Sequence, residues 1–132
     1  MKHLLHALLI MCALSLGACR QSAQLMPTPD PDIQLEWLNN DRPLRVGLDA
    51  LVFTLHNAHA EPIQGAVIEV RGDMTHPGMV PVDGRAEGGT EDGHYVVPFR
   101  WTMGGDWIVT VRVRLPDGRA TQRRYDVQVR SQ

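Results

Sequence analysis

The stretch "GDWIVTVRVRLP", residues 105–116, decides the fold class. Trp107, Val109, Val111, Val113 and Leu115 recur at every second position, and Thr110, Arg112 and Arg114 fill the other parity. Side chains of an extended chain alternate between two faces, so this pattern is that of a half-buried antiparallel strand. "PDG" at 116–118 follows as a turn, because Pro presets φ and Gly tolerates positive φ. A partner strand comes next, with Tyr125, Val127 and Val129 alternating against Asp126, Gln128 and Arg130.

The same period extends upstream. "HYVVPFRW" sets Tyr95, Val97, Phe99 and Trp101 on one side. Pro98 removes a ladder donor there, which marks an edge or bulged strand. "QGAVIEVRG" supplies Ala66, Ile68 and Val70 against Glu69 and Arg71, and "IQLEWL" (33–38) reads as the first strand. In "LRVGLDALVFTLHN" the phase changes: Leu44, Val46 and Leu48 share one parity, and Leu51, Phe53 and Leu55 the other. A bulge or bend near Asp49–Ala50 would reconcile them. "VDGRAEGGTEDG" (82–93) is Gly-rich and acidic, lacks the alternating ligands of an EF-hand, and reads as a mobile connection. No amphipathic helix is legible after residue 31. Six or seven short strands with turn signals between them predict an all-β fold, an immunoglobulin-like antiparallel β-sandwich of about seven strands. A small closed barrel is the alternative.

The N-terminus speaks to location. Lys2 and the apolar run Leu4–Leu16 are too short for a bilayer span, which takes about 20 apolar residues, and have the form of an export signal. Its end, "LGAC" (Leu16 to Cys19), resembles the bacterial lipobox. That resemblance implies cleavage after residue 18 and lipidation of Cys19. Arg20, where Asp would favour inner-membrane retention, leans toward the outer membrane in a Gram-negative host. The expected organisation is a signal peptide over 1–18, a lipidated tether over 19–31 and one β-domain over 32–132. Pro27, Pro29 and Pro31 make the tether an extended spacer.

Processing of this kind removes Cys12 and acylates Cys19, so the mature chain has no thiol free for a disulfide or a thiolate metal site. It also removes the only lysine. Twelve Arg then face fifteen acids. That mild acidity argues against a nucleic-acid partner, which calls for a clustered basic surface. Arg123–Arg124 reads as a solvated strand edge.

One motif carries metal chemistry. "GDMTHPGM" (72–79) places Met74, His76 and Met79 around a Pro-Gly pair. Thioethers select Cu(I), and imidazole binds it well. In an extended chain Met74 and His76 point to one side, and Pro77–Gly78 can turn Met79 back toward them. The competing reading makes Met74 a core cap that continues the parity of Ile68 and Val70. His56 and His59, in H-N-A-H at a strand–turn boundary, have no third ligand and read as exposed. His94 has the solvent-facing parity, and Met103 in "WTMGGDW" is expected to pack under the two tryptophans.

Catalysis finds no footing. Ser22 and Ser131 fall in the tether and at the C-terminus, so a nucleophile–base pair lacks its nucleophile. No Gly-rich phosphate loop opens a helix. The expectation is a protein that is not an enzyme.

Taken together, "NAHAEPIQGAVIEVRGDMTHPGM" and "DGHYVVPFRWTMGGDWIVTVRV" resemble the YtkA-like family, itself similar to FixH-like proteins. The carriers are a Pro-containing turn, a small-residue strand, a Met/His loop, Gly93–Tyr95 and Met103–Trp107, within residues 33–130. The resemblance implies an immunoglobulin-like sandwich outside the cytoplasm, associated with copper handling or oxidase maturation. Its Met/His loop falls on Met74, His76 and Met79, although the loop here is poorer in Met and His than is common in the family. The expected function is a periplasm-facing lipoprotein, anchored at Cys19, that binds or delivers Cu(I), with a copper-handling or oxidase-assembly protein as partner. The rival is a metal-free interaction module, or an accessory domain of a membrane transport or oxidase-assembly system.

Overall fold

Eight strands run in chain order: β1 (Gln34–Trp37), β2 (Leu44–Arg45), β3 (Gly47–His56), β4 (Val67–Met74), β5 (Val82–Glu87), β6 (His94–Trp101), β7 (Gly105–Arg114) and β8 (Ala120–Arg130). The structure is a computed structural model describing residues 29–131. The expected signal peptide, Cys19 and the tether up to residue 28 lie outside the described residues. Among the described residues there is no helix.

The strands form two sheets, ordered β1-β3-β6 and β2-β8-β7-β4-β5. All pairings are antiparallel except the short β2–β8 contact. The two sheets face one another across the core, which makes an immunoglobulin-like β-sandwich rather than a closed barrel. The alternation in the sequence is the cause. On β7, Trp107, Val109, Val111 and Val113 are all buried, and on β6 so are Tyr95, Val97, Phe99 and Trp101. Each such side chain stabilises the sandwich by roughly 1.5–3 kcal/mol. A one-residue slip would turn the whole set out to solvent, so the register is strongly specified. β6 lies at the edge of the smaller sheet, where Pro98 is tolerated.

Two details depart from expectation. β3 pairs with β6 without interruption from Gly47 to Thr54, so there is no bulge at Asp49–Ala50. The phase change sits at Val46–Gly47 instead. Leu44 pairs with Val129 in the larger sheet, and Gly47 already pairs with Trp101 in the smaller one. The chain changes sheets there through a positive φ of 133° at Gly47, a conformation that L side chains disfavour. Leu44 is therefore buried, while Leu48 is 79% exposed.

The second departure is β5. The first half of the supposed loop 82–93 is a strand paired with β4 from Val82 to Glu87. Its inward residues are Val82, Gly84 and Ala86, too small to register as an apolar stripe. Smallness is needed there, since a Cβ on Gly84 would lie 2.7 Å from the Pro98 carbonyl oxygen.

The sandwich has two ends. At one, the chain enters: the Asp30 N–H donates to the Ala120 carbonyl at 3.4 Å, and Arg119 lies 3.8 Å from the Asp30 carboxylate. The 57–66 and 88–93 connections and the β7–β8 turn share that end. The opposite end carries the β4–β5 connection, the β6–β7 turn and the end of β8. Ten-residue β7 spans the distance between them, about 30 Å at strand rise.

Candidate functional site

Met74, His76 and Met79 lie at the end opposite the point where the chain enters. Met74 is the last residue of β4 and stands across from Trp107. It keeps the inward parity of Ile68 and Val70 and packs, partly buried, against the core. Its ε-methyl reaches sideways to Gly105, where an added Cβ would sit 3.2 Å from it. Gly105 has φ of 129°, so both its backbone and the space above it favour glycine.

β4 ends at Met74, and the chain bends at Thr75 and His76 before turning at Pro77–Gly78. The extended-chain premise that sets Met74 and His76 on one side therefore stops at Met74. The strand fixes Met74, whereas His76 is carried by the bend. The Thr75 N–H donates to the Asp106 carbonyl at 3.3 Å, which holds the start of the connection against β7. Gly78 has φ of 83°, the conformation that lets the chain reverse after Pro77. His76 is exposed and Met79 half-buried. Met74 therefore takes the core-cap position, partly buried, and does not share a strand face with His76.

Met103 differs from its expected position. It is 48% exposed, and it does not lie beneath the tryptophans. Its backbone carbonyl accepts a hydrogen bond from the Trp107 indole at 3.1 Å, so the turn rests on the indole while the side chain stays outside. Beneath it, Phe99, Trp101 and Trp107 pack edge to face, with ring centroids 4.8 Å and 5.4 Å apart. That aromatic floor is rigid and buried, and it fixes the turns above.

The other histidines belong elsewhere. His94 stands across from Thr54, and His56 pairs with Gln34, both toward the end where the chain enters. His59 is exposed on the connection after β3. None joins Met74, His76 and Met79. Among the described residues, no three His, Cys, Asp or Glu side chains group closely enough to hold a metal ion. A metal at this end would depend on thioether ligands.

A model of the YtkA-like family matches residues 32–112, from just before β1 to within β7. This chain belongs to the YtkA-like family. The match takes in the Met74–Met79 segment and the β6–β7 turn, and leaves β8 outside. No curated protein matches the chain. The solution structure of the PKD domain from human VPS10 domain-containing receptor SorCS2 is similar, at 18% identity and a TM-score of 0.43 over 87% of this chain and 89% of that one.

The outer face of the larger sheet in this YtkA-like domain is charged and balanced. Arg71 lies between Asp73 and Asp83, and Arg85 between Glu69 and Glu87. The Glu87 hydrogen bond leads the causes that hold the Arg85 guanidinium above its ordinary pKa. Exposed pairs of this kind contribute little to stability. The Met/His end is different, for Leu48, Val80 and Met103 are exposed there, with Leu38 and Val96 exposed farther along the smaller sheet.

Proposed function

We propose that this YtkA-like domain binds Cu(I) through Met74, His76 and Met79 and carries or hands over the ion without performing chemistry on it. The observation that carries the reading is the donor set at one end of the sandwich. A half-buried thioether on a strand end is followed within five residues by an exposed imidazole and a second half-buried thioether. Thioether and imidazole suit Cu(I), and no thiolate competes with them in a chain processed at Cys19.

The placement suits transfer. Met74 is held by the core, whereas His76 and Met79 ride on a connection that turns at Pro77–Gly78. One firm ligand with two on a turn favours an ion that can be released. The exposed Leu48, Val80 and Met103 around that end offer apolar contact to a recipient protein.

The described chain enters the sandwich about 30 Å from the donor set, across the length of β7, and an anchor acylated at Cys19 would connect to the domain through that entry end. The ligands then lie at the end opposite the tether, outside the cytoplasm and open to a copper-handling or oxidase-assembly partner. Equilibrium dialysis against Cu(I) under reductant tests the reading. It predicts one ion retained per wild-type chain and loss of retention in His76→Ala, and wild-type chain that retains none would contradict it.

The rival reading, a metal-free interaction module, draws on the exposed apolar residues alone. Dialysis separates it from the first, since it predicts no retention in any variant.

A further inference from the structure

We infer that Met103 supplies an additional thioether to the same site; the inference rests on the copper reading above. Met103 is 29 residues from Met74 in the sequence, and the fold brings their backbones together. Met74 stands across from Trp107, and the Trp107 indole holds the Met103 carbonyl at 3.1 Å. The Met74 ε-methyl lies over Gly105, two residues beyond Met103. The Thr75 N–H is held on the Asp106 carbonyl next to Gly105. The β6–β7 turn and the start of the β4–β5 connection are thus tied to each other by the ladder, by the Thr75–Asp106 backbone hydrogen bond and by the Met74 side chain over Gly105.

The Met103 backbone is also pinned from behind. A Cβ on Gly104 would meet the Ser131 Oγ at 2.5 Å, so the turn has no room to move toward the end of β8. What is left free is the Met103 side chain, at 48% exposure on the turn that leads into Gly105, over which the Met74 ε-methyl lies. A methionine used for packing would be drawn into the aromatic floor beneath it; here the backbone occupies that contact and the sulfur stays accessible. Cu(I) bound by thioethers gains from each additional soft ligand. Met103 would complete a set of three thioethers and one imidazole drawn from two adjacent turns.

The test uses the purified full chain with methionine methyl groups labelled with carbon-13, titrated with Cu(I) under reductant and a competing chelator. The expected result is that the Met74, Met79 and Met103 methyl signals shift with a common midpoint while that of Met26 does not. Met103→Leu, which keeps volume and removes sulfur, is expected to weaken apparent affinity about tenfold or more, with its thermal unfolding midpoint unchanged. Wild-type binding with an unmoved Met103 methyl, or with unaltered affinity in Met103→Leu, would overturn this inference and leave the three-residue site standing. A wild-type chain that binds no Cu(I) would overturn both.

Discussion

Met74 stands across from Trp107 in the β4–β7 ladder, and its ε-methyl rests over Gly105 on the same neighbouring strand. One methionine is therefore both the last residue of a core stripe and the first donor of the candidate site. This dual role separates what its substitutions should do.

Met74→Ala removes packing and a ligand together. It is expected to cost about 1–2 kcal/mol, less than the 2–5 of a fully buried methionine, because Met74 is only partly buried. Met74→Leu keeps the volume and should cost under about 1.5 kcal/mol while still losing Cu(I) affinity. Urea unfolding and metal titration of both variants check the separation.

Gly105→Ala should destabilise by about 1 kcal/mol or more, since a φ of 129° disfavours any Cβ and that Cβ would press on Met74. The Met74 methyl resonance should move in the metal-free chain. An unshifted methyl with wild-type stability would contradict the contact.

Gly84→Ala tests the closure of β5 on β6. An added Cβ meets the Pro98 carbonyl oxygen at 2.7 Å and the Val97 side chain at 2.8 Å. Overpacking of this kind costs about 1–3 kcal/mol. A lowered thermal midpoint is expected, and wild-type thermal stability would contradict the close approach.

Tyr95 ties the β3–β4 connection to β6. Its hydroxyl accepts from the Ala66 N–H at 3.1 Å and donates to the Ile63 carbonyl at 2.9 Å. Tyr95→Phe leaves both backbone groups without that partner and should cost about 1–3 kcal/mol.

Burial raises the Tyr95 phenol above its ordinary pKa, with the Ala66 N–H pulling the other way. Above the unfolded value the unfolded chain loses this proton while the folded chain keeps it. The folded state then binds more protons, so stability is full below the unfolded pKa and is lost as pH rises through the folded one. Denaturant unfolding between about pH 8 and about pH 11 should show a falling alkaline limb, shallower in Tyr95→Phe. Tyr125, raised likewise by burial, contributes a limb of its own that this variant keeps.

Much of the fold was legible because large β-branched and aromatic residues repeat with period 2. Trp107–Leu115 and Tyr95–Trp101 are buried where that parity puts them. β5 was illegible for the converse reason: its inward positions are Val82, Gly84 and Ala86, and the close approach of β6 demands small residues that carry no apolar signal. The sheet change at Val46–Gly47 was visible as a phase shift, but its position depends on which strand accepts the chain on either side, which is a tertiary matter. At the site, Met74, His76 and Met79 were legible as neighbours in sequence. Met103 was not, because its turn meets the end of β4 only through the pairing of β4 with β7. "WTMGGDW" did hold a signal, in that a Gly-Gly turn between two strands must lie at a sheet end.

Cu(I) binding at Met74, His76 and Met79 has a direct readout. The purified full chain is titrated with Cu(I) against a competing chelator, beside the triple variant Met74→Leu/His76→Ala/Met79→Leu. One Cu(I) taken from the chelator per wild-type chain and none by the triple variant are expected, with both chains equally folded by circular dichroism. Equal uptake by the two chains, or none by either, would contradict it.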